Sequence, residues 1–235
     1  MKTQIKITLL ALACATLSAC SDDNNTTPPA ASEPDPAPQN SVYSITVTNL
    51  TPAQPMSPVA VLMREQPVWH IGQPASEALA TLAEGGDNSQ LIADETVTVS
   101  TSAPMPLPPG DAQTLQIMVE AGDERPLSVV TMLVNTNDGF SGFTGLALDD
   151  MAVGDTVVRR TRAYDAGTED NTEAAGTIPG PADNGEGVSE GRETLDAVTL
   201  HQGVVSQDDG LSLSVLRNEH RFDNPVLLIS VTKVE

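Results

Sequence analysis

The chain has 235 residues, of which 32 are Asp or Glu and only 11 are Lys or Arg, so its formal net charge is -21. Binding to phosphate needs clustered cations, so this balance excludes nucleic acid as a ligand and argues against peripheral binding to anionic lipid. Aromatic residues make up 3% of the chain, and there are 18 Pro and 17 Gly. This composition is typical of a β-rich, loop-rich protein rather than a helical bundle. With only two cysteines, neither a disulfide framework nor a cysteine zinc site is expected.

The first 20 residues have the organisation of an export signal. Lys2 and Lys6 precede an apolar run over residues 7–17, which is shorter than the roughly 20 residues that a membrane-spanning helix needs. The sequence LSAC at residues 17–20 resembles the lipobox of bacterial lipoproteins. This resemblance implies that residues 1–19 are a signal peptide, that the protein is exported across the inner membrane, and that Cys20 is acylated and anchors it to a membrane. An ordinary signal peptide with an incidental cysteine is the alternative.

The residues after Cys20 predict where the protein is sorted and how it is tethered. Ser21, not Asp, follows the cysteine, and by resemblance to Gram-negative sorting this implies the outer membrane, facing either the periplasm or the surface. Residues 20–40 consist almost wholly of Pro, Ala, Asn, Thr and acids without periodicity, which predicts a disordered lipidated tether.

A folded domain is predicted over residues 41–235. Tyr43, Ile45 and Val47 alternate with polar residues, and this period of two indicates a half-buried strand. Further strands are predicted at 59–63, 97–99, 115–119, 127–134, 156–162, 197–204, 211–216 and 226–234. The segment 127–134 is apolar on both faces, which indicates a central strand.

A helix is predicted to begin after Ser76, which can cap it, and to end at Gly85 and Gly86. A further short helical turn is predicted to start at Ser89. Many strands without βα alternation predict an all-β antiparallel β-sandwich with one or two short helices and long acidic loops. The domain is long enough to form one good core without disulfides.

Six segments, taken in order, carry a family resemblance. They are SITVTNLTPAQPMSPV (44–59), IGQPASEALATLAEGGD (71–87), MLVNTNDGFSGFTG (132–145), AYDAGTED (163–170), IPGP (178–181) and FDNPVLLISV (222–231). Together they resemble the spondin domain, a module named from F-spondin that also occurs in bacterial secreted proteins. The resemblance implies a C2-like β-sandwich with one calcium ion at one end of the sheets. It also implies three ligands: Asp138 in TNDG, and Asp165 and Glu169 in DAGTE, where relatives often have Asp in place of the Glu.

The positions of these acids are compatible with that chemistry. Asp138 and Asp165 each follow a predicted strand, so they are expected at strand ends, where the loops of a sandwich converge. Calcium takes about six to eight oxygen ligands, whereas zinc prefers nitrogen and sulfur. The alternative is that Asp138, Asp165 and Glu169 serve turns, caps and solubility like the other acids. The pattern is not that of an EF-hand.

The remaining features predict structural roles. Residues 169–192 are acidic and rich in Gly, Pro and Asn, which indicates a solvated loop, with a lid over the calcium end as the alternative. Trp69 is predicted to pack at the edge of the core. His201 and His220 have no partner at metal-ligand spacing, so structural roles are predicted for both.

No catalytic motif is present. The predicted function is a non-enzymatic, calcium-binding adhesion module with a glycan, matrix or protein ligand. The alternative is a structural periplasmic lipoprotein without a functional metal site, and nothing in the sequence favours a hydrolase.

Overall fold

The computed structural model describes residues 39–189 and 196–235. The predicted all-β antiparallel sandwich is confirmed, because the strands form a four-stranded and a six-stranded antiparallel sheet. The predicted signal peptide, the lipidation site Cys20 and nearly all of the predicted tether lie outside the described residues and stay predictions. Among the described residues, none of the helices has the length and hydropathy that a membrane-spanning helix needs.

Over the described residues, the elements are ten strands with two short helices between the second and third. The strands are β1 Ser41–Asn49, β2 Ala60–Met63, β3 Val99–Ser102, β4 Ala112–Val119, β5 Leu127–Met132, β6 Gly139–Leu146, β7 Thr156–Thr161, β8 Ala163–Asp165, β9 Thr199–Leu200 and β10 Leu227–Lys233. The helices are α1 Glu77–Gly85 and α2 Ser89–Ile92, and a 3-10 turn spans Asn218–His220. The strand orders are β4-β1-β10-β7 and β3-β2-β5-β6-β8-β9.

The main core lies between the two sheets. The alternation in β1 buries Tyr43, Ile45 and Val47, as the period of two predicts. Ile45 pairs with Val231 of β10, which is also fully buried, so two neighbouring strands present apolar side chains to the facing sheet.

A second apolar cluster lies between the six-stranded sheet and the helices. Leu79 and Leu82 of α1 pack with Met132 of β5 and Phe140 of β6, and all four are fully buried. This second cluster explains why β5 is buried along its whole length, and β5 is a central strand as predicted, between β2 and β6. The second cluster forms because α1 covers the outer face of that sheet.

Both ends of α1 form as its sequence predicts. The Ser76 hydroxyl accepts a hydrogen bond from the backbone N–H of Leu79 at 3.2 Å, a cap usually worth about 1 kcal/mol. Gly86 takes the left-handed conformation with φ of 73° and donates its N–H to the carbonyl of Leu82. A glycine is favoured there because it has no Cβ to strain.

Several strands differ from the prediction. β6 has the sequence GFSGFTGL, in which glycines hide the strand pattern, and β8 has only three residues. The predicted strand at 211–216 is wrong, since only an isolated bridge joins Ser214 to Ala174, and the one at 197–204 shrinks to Thr199–Leu200. In the segment 211–216, the hydroxyl of Ser214 donates to the carboxylate of Glu173 and the N–H of Val215 donates to its carbonyl, in place of bonds to a neighbouring strand.

Candidate metal centre

The structure brings the two predicted calcium loops together at one end of the six-stranded sheet. β6 pairs with β8 so that Gly139 lies opposite Asp165. Asp138 therefore lies beside the end of β8, and its carbonyl accepts a hydrogen bond from the N–H of Ala166 at 3.2 Å. The exposed fractions of Asp138 and Asp165 are 0% and 5%, so neither is a solvated surface acid.

The carboxylates of both aspartates hold the turn that carries Glu169. Oδ2 of Asp138 accepts hydrogen bonds from the N–H groups of Thr168 at 2.8 Å and Glu169 at 3.2 Å. Oδ1 of Asp165 accepts one from the N–H of Gly167 at 2.9 Å, and its Oδ2 accepts one from the side-chain amide of Asn171. Asp165 thus caps its own turn, and Asp138 caps the same turn from the neighbouring loop, as the alternative interpretation expects.

A glycine is needed at the centre of this turn. Gly167 has a φ of 68°, in the left-handed region that side chains disfavour. A Cβ added there would also meet the backbone of Ala197. The turn therefore packs directly against the chain that leads into β9.

Glu169 is the most perturbed of the three predicted ligands. It is 6% exposed, and its Oε2 accepts a hydrogen bond from the side-chain amide of Asn137 at 3.3 Å. Within the described chain, its buried Oε1 has no hydrogen-bond partner. Burial raises the pKa of Glu169 to about 8; the bond from Asn137 lowers it, and the charges of Glu84, Asp138 and Glu186 raise it further.

Glu84 is a component of this centre that the sequence interpretation missed. It lies in the last turn of α1, is 2% exposed, and its Oε2 accepts a hydrogen bond from the N–H of Ser189 at 2.8 Å. A signal was present, because Glu84 follows the buried Ala80 by one helical turn and so falls on the buried face of the helix. An ionisable residue there is unusual, since buried acids need partners.

A cavity of about 190 Å³ opens beside Glu169. Every lining residue carries a side-chain oxygen: Asn137, Glu169, Asp170, Thr172, Thr177, Glu186 and Ser189. Such a set of donors fits a hard cation such as calcium and does not fit zinc.

The arrangement of the acids is not that of a preformed metal site. Over residues 39–189 and 196–235, no group of three or more His, Cys, Asp or Glu side chains is arranged to hold a metal ion. The buried Oε1 of Glu169 and the oxygen-lined cavity fit calcium in donor chemistry. Calcium binding would therefore require the side chains of the centre to reorient.

Most residues from 170 to 189 are exposed or half-buried, as expected of the predicted solvated loop, but Glu173, Ile178 and Gly180 are buried. Glu173 is 5% exposed, and its carboxylate accepts hydrogen bonds from the N–H of Val205 at 2.7 Å, the N–H of Ser206 at 3.0 Å and the hydroxyl of Ser214 at 2.6 Å. Ile178 in the same segment is fully buried in the main core. The sequence hides this because polar residues form the contacts, and polar contacts have no periodicity.

His201 and Trp69 occupy packed positions. Trp69 is 7% exposed and meets Phe140 edge-on, with ring centroids 5.1 Å apart, which confirms the packing predicted for it. Nδ1 of His201 accepts a hydrogen bond from the N–H of Gly203, and its ring packs against Phe222. Burial lowers the pKa of His201, while the charges of nearby carboxylates act in the opposite direction.

Comparison of the sequence with known protein families and curated proteins identifies no relative of this chain. No model of a known protein family matches the chain, and no curated protein matches it significantly. The resemblance to spondin domains therefore stays a prediction based on short segments of sequence.

Proposed function

We propose that this protein is a non-enzymatic, calcium-binding adhesion module of the spondin type, exported and lipid-anchored at Cys20, with a glycan, matrix or protein ligand. The observation that carries the proposal is the state of Glu169. It is a buried carboxylate with one unbonded oxygen in the described chain, beside an oxygen-lined cavity and close enough to Glu84, Asp138 and Glu186 to be repelled by them.

Repulsion among buried carboxylates is a cost that a divalent cation removes. Without a cation, burial and, to a smaller extent, the charges of the neighbouring acids raise the pKa of Glu169 to about 8, so that the side chain carries a proton near neutral pH. A bound calcium ion would supply positive charge and replace that proton. Glu84, Asp138 and Glu169 are the residues that would hold it, while Asp165 positions the turn and stays a predicted ligand.

These acids belong to segments far apart in the sequence. Glu84 lies in the last turn of α1, Asp138 precedes β6, and Glu169 lies in the turn after β8. An ion held by all three would join the helix to both loops at one end of the sandwich. The joined loops would then present a fixed surface to the ligand.

A structural lipoprotein without a functional metal site is the second candidate. It is favoured by the hydrogen bonds of Asp138 and Asp165, which already hold the 165–169 turn, and by the absence of a ready metal geometry over the described residues. In this case the buried acids act only through those bonds.

Thermal melting in calcium, magnesium and chelator separates the two candidates. If calcium binds, calcium at about 100 times its dissociation constant adds about 2.7 kcal/mol to the free energy of unfolding. Native mass spectrometry should show one bound ion. Glu169→Gln and Asp138→Asn should abolish both effects.

The matched control is Glu173→Gln, which changes a buried carboxylate outside the centre. This variant should melt at a lower temperature but keep the calcium increment. Equal melting of the wild type in calcium and in chelator, with no ion in the mass spectrum, would leave the structural lipoprotein as the function.

A further inference from the structure

Three arginines on and just after β7 stand out in this acidic chain. Arg159, Arg160 and Arg162 lie within four consecutive residues, and all three are exposed. Ion pairs in the described structure engage other arginines: Arg64, Arg125, Arg217 and Arg221. In a protein of net charge -21, a group of arginines free of ion pairs across the described residues indicates that their acidic partner comes from elsewhere.

Protection of a sheet edge explains only one of the three. β7 is an edge strand, and Arg159 pairs in register with Ile229, whose side chain is in the core. An inward-facing charge at an edge prevents unwanted strand pairing. Arg160 pairs with Leu228 on the opposite face of the same strand, so this explanation does not cover it.

The arginines border a groove between two open strand edges. In the described structure β7 pairs only with β10, and β6 pairs with β8 only as far as Ser141. Two cavities of about 680 Å³ and 300 Å³ lie along these edges. They share Phe143, Thr144 and Arg159 in their linings and so form one groove, which we call the β6–β7 groove.

The groove has an apolar floor and a cationic end. Phe143, Leu146 and Val157 are half-buried and pack against the main core from the floor. Asp150 and Asp155 line only the larger cavity, Arg160 and Arg162 line only the smaller one, and Arg159 lines both. A partner with alternating apolar and acidic groups would satisfy both surfaces.

We propose that the β6–β7 groove binds an extended acidic segment of a partner polypeptide, which adds as a strand to the open edge of β7. Open edges offer backbone N–H and C=O groups that an extended peptide satisfies. On such a strand, acidic side chains would lie opposite Arg160, and apolar ones opposite Val157, on the other face. A glycan is disfavoured because Trp69, the tryptophan in the groove lining, is 7% exposed and offers no open ring for stacking.

This proposal does not depend on calcium. Asp138 directly precedes the first residue of β6, whereas the groove involves the other half of that strand, from Gly142 to Leu146. Binding is therefore expected to be the same in calcium and in chelator. This separates a failure here from a failure of the calcium proposal.

The test measures fluorescence anisotropy of a labelled peptide of alternating Glu and Val, about ten residues long, the length of a typical strand. The full chain should bind it, and the double variant Arg160→Gln, Arg162→Gln should weaken binding by about tenfold or more, as expected for lost charge pairs. A peptide with Pro in place of each Val should not bind, because its backbone lacks the needed donors.

The matched control removes arginines that already have partners. Arg217→Gln, Arg221→Gln neutralises two exposed arginines that pair with Asp208 and Asp209, and it should leave the affinity for the peptide unchanged. Equal weakening by both double variants, or no binding of the peptide, would overturn the proposal.

Three further measurements test the other occupants of the groove. Polygalacturonate that binds more tightly than the peptide would identify an anionic glycan, and binding to phosphatidylglycerol vesicles would identify a lipid surface. Arginine-dependent dimers of the chain alone in sedimentation would identify a second copy. Each of these results would overturn the assignment of a partner peptide.

Discussion

Two buried glutamates four residues apart show how different the roles of similar residues can be. Glu173 accepts hydrogen bonds from Val205, Ser206 and Ser214, so its carboxylate has donors on both oxygens. Glu169 accepts one bond, from Asn137, and lies near other acids. Glu173 therefore ties two loops together, whereas Glu169 is held in an environment that suits a proton or a cation.

The pKa of Glu169 predicts a pH dependence of stability. Its folded pKa of about 8 lies above the ordinary value of 4.5. Between these values the folded protein binds more protons than the unfolded chain, so the free energy of unfolding should fall as pH rises towards 8. In chelator at about pH 9, the free energy of unfolding of Glu169→Gln should be higher than that of the wild type by roughly 1–3 kcal/mol, since one pKa unit is worth about 1.4 kcal/mol.

Urea unfolding at several pH values checks this, with Glu173→Gln as the control that retains Glu169. The difference in free energy of unfolding between Glu169→Gln and the wild type should be smallest near pH 4 and should grow towards pH 9. A difference from the wild type that stays constant with pH would contradict the raised pKa.

At the scale of elements, β6 positions both the metal centre and the β6–β7 groove. Its irregular pairing with β5, where the register shifts between Leu127 and Val129, lets it bend. Gly142 has a φ of 147°, and a Cβ added there would meet the carbonyl of Val129. Gly145 has a φ of 81° but open space around its missing Cβ.

These two glycines form a matched pair of test sites. Gly142→Ala should lower the free energy of unfolding by about 3 kcal/mol or more, because the cost of backbone strain is added to the cost of a clash with the neighbouring strand β5. Gly145→Ala should cost only about 1–2 kcal/mol, the penalty of a left-handed residue with a Cβ. Urea unfolding measures both, and equal losses would contradict the close approach of β6 to β5.

At the scale of the whole molecule, the net charge of -21 opposes the compact state. Because salt screens charges over a Debye length of about 10 Å at 0.1 M, the Tm should rise as NaCl increases from about 0.02 to about 0.3 M. For a domain of this size, each 1 kcal/mol gained raises the Tm by about 2–4 °C.

Differential scanning fluorimetry separates this screening from binding of a specific ion. At equal ionic strength, calcium should raise the Tm beyond the NaCl value, and Glu169→Gln should lose only the calcium increment. A Tm that is constant or falls with NaCl would show that charge repulsion does not limit the stability of this fold.

The sequence alone determined the features that depend on near neighbours. The alternation in β1, the Ser76 cap and the glycine at the end of α1 are local patterns, and the structure confirms each of them. The apolar segment that became β5 identified a central strand, because burial on both faces leaves no polar alternation.

The tertiary structure alone decided which polar residues meet. The pairing of Gly139 with Asp165 brings two loops together, and the docking of α1 adds Glu84 to the same end of the sheet. The bonds from Ser214 and Val215 to Glu173 likewise lie within the predicted strand at 211–216, which the structure shows as a packed loop. Local periodicity reports the burial of one segment, whereas the convergence of polar groups depends on contacts between distant segments, which leave no periodic trace in the chain.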